Sequence, residues 1–442
     1  MTMRTDEILS DDRTTIGNYF VSNYPPYSFW TPQQLDQARA ALERPPAPDT
    51  PLGIYVHIPF CRKRCRFCYF KVYTDQDSSA VNRYLDGLVR ELTLYADKPF
   101  LGGRKPKFIY FGGGTPSFIS TKQLSRLVEA MKALFPWDEA EEVTFECEPG
   151  TLTRRKLEIL REIGVSRLSL GVENFDDRIL ELNNRAHGSQ EIDRAYEMAR
   201  SLGFPQINID LIAGMIGETD ENWSRCVRKT IELDPDNVTV YQMEVPYNTT
   251  ISKELRTDGE EAPALADWGT KRRWVDDAFR DLEIAGYTLT SAYTAVKDVG
   301  RTSFLYRDLL WRGADMMALG VASFSHVNGV HYQNESGMEP YLAKVERGEI
   351  PMRRALVTTA EERMIREFIL QMKTGRVDRQ YFASKFQIDL EQRFRSPLKS
   401  FEKQGLLSLN DRAIEMSRPG LLQVDKLLYE FFLPEHREAA AA

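Results

Sequence analysis

An apolar run, Tyr55-Val-His-Ile-Pro-Phe60, opens directly into a loop with cysteines at 61, 65 and 68. No other stretch constrains the chain as tightly, because it demands a strand end that brings three sulfurs together. Thiolates at spacing C-x-x-x-C-x-x-C can hold three irons of a 4Fe-4S cube, soft sulfur being the ligand such clusters take. The fourth iron is then left open to a small molecule. A structural zinc site wants four closed ligands, usually as two pairs. His57 is the one nearby fourth donor, but it falls in the strand period and is read as packed or as orienting a ligand. A disulfide is excluded by number and context, since three neighbouring cysteines cannot pair off and nothing marks the chain as secreted. Cys147 and Cys226 stand alone and are read as buried thiols.

From Gly53 onward strands and helices alternate, the mark of a parallel sheet. Strands are predicted at Ile54–Ile58, Phe108–Phe111, Val143–Cys147, Val165–Gly171, Ile207–Ile212 and Val238–Met243. A helix over 79–95 places Val81, Tyr84, Leu85, Leu88, Val89 and Leu92 on one face, and the next aligns Leu124, Leu127, Val128, Met131 and Leu134. Six such units without a clear seventh and eighth predict an α/β fold, a partial (β/α)6 barrel opened to admit a large substrate. Ligands in such folds sit at the C-terminal ends of the strands.

Residues 1–50 form a proline-rich N-terminal arm with an aromatic stretch, Asn23 to Trp30, read either as a strap over the core or as a substrate-facing surface. Residues 51–330 form the barrel core. Residues 253–269 are expected as an acidic loop insertion, and 274–285 as a helix. Residues 331–442 are expected as a small, mainly helical, winged-helix-like domain, with Met364, Ile365, Phe368, Ile369 and Met372 in register. A net charge of -7 argues against nucleic acid as a partner of that domain. No apolar run approaches the ~20 residues that span a bilayer, and Met1 to Thr15 is polar and acidic, so no membrane partner and a cytoplasmic location are expected.

The chemistry-bearing motifs fall at the predicted strand ends. Gly112-Gly113-Gly114-Thr115-Pro116 follows the second strand, where missing Cβ atoms would let a ligand approach the backbone, although a tight turn uses the same residues. Glu146 ends the third strand and can take a diol in two-pronged fashion or serve as a rim ion pair. Ser169-Leu-Gly171-Val-Glu173 ends the fourth. Arg185 follows in Leu-Asn-Asn-Arg, as a carboxylate fork or a surface arginine. In the fifth strand, alternation puts Asn208, Asp210 and Ile212 on one face.

The cysteine spacing and its preceding strand resemble the radical S-adenosylmethionine (SAM) superfamily. Tyr-Val-His-Ile-Pro-Phe narrows this to the coproporphyrinogen III oxidase-like (HemN-like) branch, which also holds haem chaperones and class C radical methylases. The resemblance implies a 4Fe-4S cluster on Cys61, Cys65 and Cys68 and two SAM molecules. It places Gly113, Gly114 and Thr115 at the amino group, Glu146 at the ribose, Arg185 at the carboxylate, Asp210 at an adenosine hydroxyl and Ile212 on adenine. Tyr55, Phe67, Met243 and Phe324 match contacts to one SAM or the other. Where the family has glutamine this chain has Glu173, an acid that accepts rather than donates and adds negative charge beside a sulfonium. Phe70 stands where the oxidases have a fourth cysteine, and Phe20-Val-Ser-Asn-Tyr24 keeps their arm without its basic residue.

These departures lead to the expectation of a class C enzyme of specialised metabolism. It would transfer a one-carbon unit, by methylation or cyclopropanation, to an sp2 carbon of an unsaturated or heteroaromatic small molecule. The alternatives are an oxidative decarboxylase of coproporphyrinogen III and a non-catalytic haem chaperone. An electron donor such as flavodoxin or ferredoxin is implied throughout. Tyr55 and Glu173 are general-base candidates by location alone. Replacing any one of Cys61, Cys65 or Cys68 by alanine is expected to abolish cleavage of SAM to 5′-deoxyadenosine; a variant that still cleaves SAM would overturn the cluster assignment.

Overall fold

The central strands have two chemically unlike faces. In β1 (Leu52–Ile58) Ile54, Val56 and Ile58 are fully buried on one side, and Tyr55 and His57 alternate to the other. The pattern repeats in β2 (Pro106–Gly113), β3 (Glu142–Cys147), β4 (Arg167–Glu173), β5 (Gln206–Ala213) and β6 (Asn237–Gln242). In β4, Leu168, Leu170 and Val172 face one way, and Arg167, Ser169 and Gly171 the other. Parallel register then lines up like with like: Glu146 opposite Ser169, Ser169 opposite Asn208, Asp210 opposite Thr239. The apolar face packs under helices that include Ser78–Ala96, Thr121–Leu134, Ser189–Ser201 and Asp220–Leu233, which gives the larger of the hydrophobic cores. The polar face becomes the inside of the barrel.

The structure, a computed structural model, describes residues 13–15, 17, 20–257 and 263–437. It has the expected α/β architecture, with β1 to β6 parallel and in chain order. The sheet nevertheless holds 12 strands. β7 (Thr288–Leu289) and β8 (Thr294–Val296) extend it antiparallel beyond β6, and β9 (Asp315–Leu319) adds parallel to the free side of β1. β10 (Phe324–Val327), β11 (Val330–Asn334) and β12 (Met352–Val357) continue antiparallel. Sequence periodicity missed β7 and β8 because two or three residues carry no period. The division drawn after residue 330 falls inside β11, and the sheet runs on to Val357.

The segment expected as a loop insertion, 253–269, begins inside a helix, Thr250–Thr257, and its residues 258–262 lie outside the described residues. The following helix, Trp268–Ile284, starts earlier than predicted because Asp267 caps it by accepting the Thr270 N–H. The expected frayed terminus, 438–442, likewise lies outside the described residues.

The arm lies on the sheet as a strap. Thr31 exchanges backbone hydrogen bonds with Ala355 of β12, Trp30 stacks on His331, and the buried Tyr24 hydroxyl contacts Nδ1 of His436 at 2.7 Å. C-terminal to the sheet, the helix Ala360–Met372 and a three-stranded sheet in the order β13 (Arg376–Asp378), β15 (Ala413–Met416), β14 (Leu407–Leu409) enclose a second core around Phe368, Phe394 and Phe431. Among the described residues no helix is long and apolar enough to cross a membrane.

A buried carboxyl ties these layers to the end of β1. Glu91, on Ser78–Ala96, accepts hydrogen bonds from Tyr341 Oη at 2.6 Å, Gly320 N–H at 2.8 Å and Asn334 Nδ2 at 2.7 Å. Two turns earlier, Tyr84 Oη donates to the His57 carbonyl at 2.7 Å. Burial pushes Glu91 up to about 7 from 4.5. The fold therefore holds this proton longer than the unfolded chain, and stability falls as pH rises from 4.5 through about 7. That loss amounts to roughly 3 kcal/mol from this group. Glu91→Gln should flatten the pH dependence of denaturant unfolding by that amount relative to wild type; identical slopes in both proteins would refute the coupling.

Candidate active site

The strand ends and the polar barrel face open into one cavity of about 460 Å³. At its mouth the cysteine loop is pinned at both ends, by Cys61 N–H to the Tyr73 carbonyl at 3.1 Å and Tyr73 N–H to the Pro59 carbonyl at 2.8 Å. Between these, Arg66 N–H reaches the Asn183 carbonyl at 3.1 Å, and Cys68 N–H the Cys65 carbonyl at 3.2 Å. Cys61, Cys65 and Cys68 all face the cavity. Two sulfurs have a donor of their own: Thr115 Oγ1 lies 3.3 Å from Cys61 Sγ, and Arg185 Nη1 lies 3.1 Å from Cys65 Sγ.

Burial pushes the Cys61 thiol up to about 12 and Cys68 to about 11, and the neighbouring sulfurs add to it. Such thiols stay protonated until a metal takes them as thiolates. Among the described residues no three His, Cys, Asp or Glu side chains converge on a point for a single ion. Three cysteines on one cavity wall are the donor set that an iron–sulfur cluster takes. The glycine loop leaves room for it: a Cβ on Gly114 would come within 3.0 Å of Cys61 Sγ, and one on Gly113 within 2.6 Å of the His57 ring. His57 itself is buried and held near about 4, with its Nδ1 3.3 Å from Tyr55 Oη. It packs beneath the loop.

Deeper in, three carboxylates share the wall. Glu146 accepts from Tyr110 Oη at 2.6 Å and Gly113 N–H at 3.2 Å, and burial pushes it up to about 7. Asp210 accepts from Ser169 Oγ at 2.7 Å and Asn208 Nδ2 at 2.9 Å, while Asn208 Oδ1 accepts from Thr239. Burial raises Asp210 as well. Glu173 ends β4 with its Oε1 3.5 Å from Arg185 Nη2, and burial takes it to about 7. Burial works against the Arg185 charge, but Cys65 and Glu173 outweigh it and push the guanidinium up. Its Nη2 also donates to the Gly171 carbonyl at 2.6 Å.

Phe67, Gly113, Gly114, Thr115, Ile212 and Met243 line the same cavity as these acids, Arg185 and the cysteines. Tyr55 and Phe324 stand apart from that wall. Tyr55 lies on the barrel face stacked 5.8 Å from Tyr110, and Phe324 packs 4.4 Å from Tyr27 of the arm. The cavity also holds residues that motif reading missed. Arg167 is 1% exposed beneath the Phe304 ring at 4.0 Å, and its Nε and Nη1 meet no partner among the described residues. It is one strand period before Ser169, which is the signal that would have found it. Tyr69, Phe70 and Tyr241 are large side chains left 40–45% exposed, and all three face this cavity with Tyr293. Arg272 and Lys426 add cations to its outer part.

Comparison with known proteins agrees with this geometry. The radical SAM superfamily model matches residues 55–229, and the HemN C-terminal domain model matches 358–422. The oxygen-independent coproporphyrinogen III oxidase of Helicobacter pylori is 28% identical over 86% of each chain. The heme chaperone HemW of Bacillus subtilis is 28% identical over 83% of this chain and 96% of its own. The solved structure of coproporphyrinogen III oxidase from Escherichia coli, described as a radical SAM enzyme, superposes with a TM-score of 0.79 over 93% of this chain and 96% of its own, at 24% identity. These whole-chain relatives overturn the expectation of methyl transfer or cyclopropanation. That expectation rested on two local departures, Phe70 and the uncharged arm, which alter side chains at the mouth without bearing on the kinship of the whole chain.

Gly114→Ala is expected to displace the Cys61 loop, because the new Cβ would also meet backbone at Pro59 and Phe60. Iron bound after reconstitution should fall severalfold; full iron loading with an unaltered spectrum would contradict the cradle.

Proposed function

From the premise that this chain belongs to the radical SAM superfamily, with a radical SAM domain followed by a HemN C-terminal domain, we propose that it oxidatively decarboxylates a carboxylate-bearing tetrapyrrole of the coproporphyrinogen III class without oxygen. The observation that carries this reading is the match to a coproporphyrinogen III oxidase over 86% of both chains. The cavity supports it. Tyr69, Phe70, Tyr241 and Tyr293 offer ring faces to a large conjugated substrate, and Arg272 and Lys426 offer cations to its carboxylates. Phe20 of the arm reaches the same cavity.

When bound, a 4Fe-4S cluster with SAM supplies a 5′-deoxyadenosyl radical after one-electron reduction by a carrier such as flavodoxin or ferredoxin. The residues of this chain hold and orient the parts. Cys61, Cys65 and Cys68 would hold three irons, with Thr115 and Arg185 hydrogen-bonding to two of the sulfurs. Arg185 is placed to fork a ligand carboxylate, and Gly113 and Gly114 give backbone access to an amino group. Glu146 on β3 and Asp210 on β5 are separate carboxylates already oriented by donors, so each can take one ribose diol; this supports two SAM molecules. Ile212, Met243 and Phe67 supply apolar walls. Aromatic walls reduce the water around a radical.

The haem-chaperone reading has less support. All five histidines are buried, at 1–6% exposure, so no imidazole is offered to a haem iron from the cavity. Anaerobic turnover with SAM, reductant and coproporphyrinogen III should release carbon dioxide with 5′-deoxyadenosine. Stoichiometric haem uptake with no carbon dioxide would instead favour the chaperone. Arg185→Ala should weaken SAM binding at least tenfold, the order expected for a lost carboxylate fork, with iron content intact. Unchanged SAM affinity would remove Arg185 from the site.

A further inference from the structure

Lys373, at the C-terminal end of the helix Ala360–Met372, is completely buried and paired with Asp425, its Nζ 2.7 Å from Oδ1. Among the described residues, every other side-chain hydrogen bond of the pair leaves the C-terminal domain. Lys373 Nζ donates to the Val21 carbonyl of the arm at 2.8 Å, and Asp425 Oδ1 accepts the Val21 N–H at 2.9 Å. Asp425 Oδ2 accepts from the hydroxyl of Tyr293, between β7 and β8. Beside it, the Ala292 N–H donates to the Lys373 carbonyl at 2.8 Å. The ammonium also lies 4.0 Å from the centre of the Phe20 ring and 5.4 Å from that of Tyr293. One buried pair thus joins arm, barrel and C-terminal domain.

Stability does not call for charges there. Apolar residues of similar volume in place of a buried ion pair are often as stable or more so. What directed hydrogen bonds add is a fixed place for each group they hold, and here those groups are cavity wall. Phe20, Ala292, Tyr293 and Asp425 line the cavity, and Lys373 does not itself reach it. The Phe20 and Tyr293 rings lie 5.6 Å apart, and Tyr293 stacks at 6.2 Å on Tyr241 of β6. We propose that Lys373 is a positioning residue that sets substrate specificity. Through Asp425 and Val21 it holds Phe20 and Tyr293 as one aromatic wall for the pyrrole rings of the substrate. This rests on the tetrapyrrole reading of the cavity.

The test is anaerobic turnover of coproporphyrinogen III by the full-length, cluster-loaded protein. KM and kcat are read from released carbon dioxide, and SAM affinity from equilibrium dialysis. Lys373→Met by itself would strand a buried carboxylate, so the pair is replaced whole, by Lys373→Met with Asp425→Leu. This protein should raise the KM for coproporphyrinogen III about fivefold, the order of an aromatic contact, with SAM affinity unchanged. Phe20→Ala should do the same. All three substitutions together should still raise KM only about fivefold, rather than the roughly twenty-five-fold of independent effects, because both changes remove one wall. An unchanged KM or effects that multiply would overturn the proposal. So would a SAM affinity that falls in step with KM, which is the mark of a disturbed fold. A wild-type protein that releases no carbon dioxide from coproporphyrinogen III would fail the tetrapyrrole reading and this inference together, whereas failure in the variants alone leaves that reading standing.

Discussion

A strand covered on both sides still has two faces, and in β1 to β6 those faces are chemically opposed. Burying the apolar set, such as Leu168, Leu170 and Val172, is worth about 1.5–3 kcal/mol per large side chain, so that side must lie under helices. The other side carries Glu146, Arg167, Ser169, Asn208 and Asp210, which cannot meet a second apolar layer without losing hydration. A curved sheet enclosing a cavity satisfies both demands. The parallel register then stacks the polar residues of adjacent strands into one wall, and the loops at the strand ends close over it.

Within that wall the charges are arranged to be kept. Glu146 and Asp210 each receive donors from the next strand or from a backbone N–H, which offsets part of the penalty of burial. Burial still raises every acid of the group. For Glu146 and Glu173, pushed up to about 7, protonation sits near neutrality rather than far below it. Arg167 and Arg185 retain N–H groups with no partner among the described residues, in a cavity where a ligand can supply one. Perturbed acids, unsatisfied donors and a strained residue in one concavity are the physical signature of a working site.

Much of this was legible in the chain. The alternation of strands and helices located six of the seven parallel strands, and the motifs at their ends named residues that the fold brings to one cavity, from Cys61 to Met243. What escaped had physical reasons. Arg167 lies one period upstream of its motif, where a charged residue reads as a solvated strand start. Tyr69 and Phe70 directly follow Cys68 but belong to no motif of their own, and Tyr241 and Tyr293 lie far along the chain, so no local spacing reveals that the four share a cavity. Tyr55 and Phe324 belong to adjoining regions whose packing against Tyr110 and Tyr27 no motif could foretell. The substrate expectation erred because single residues at the cavity mouth were weighed above the kinship of the whole chain.

The sequence alone determined the three-sulfur loop, the order of the parallel strands and the identity of the acids and Arg185 at their ends, because those depend on spacing and side-chain period. Only the tertiary structure decided which charges face one another, that Glu173 sits in the left-handed region beside Arg185, and that strap and C-terminal domain add aromatic and cationic walls. These depend on contacts between segments far apart in the chain, at distances that no local pattern encodes.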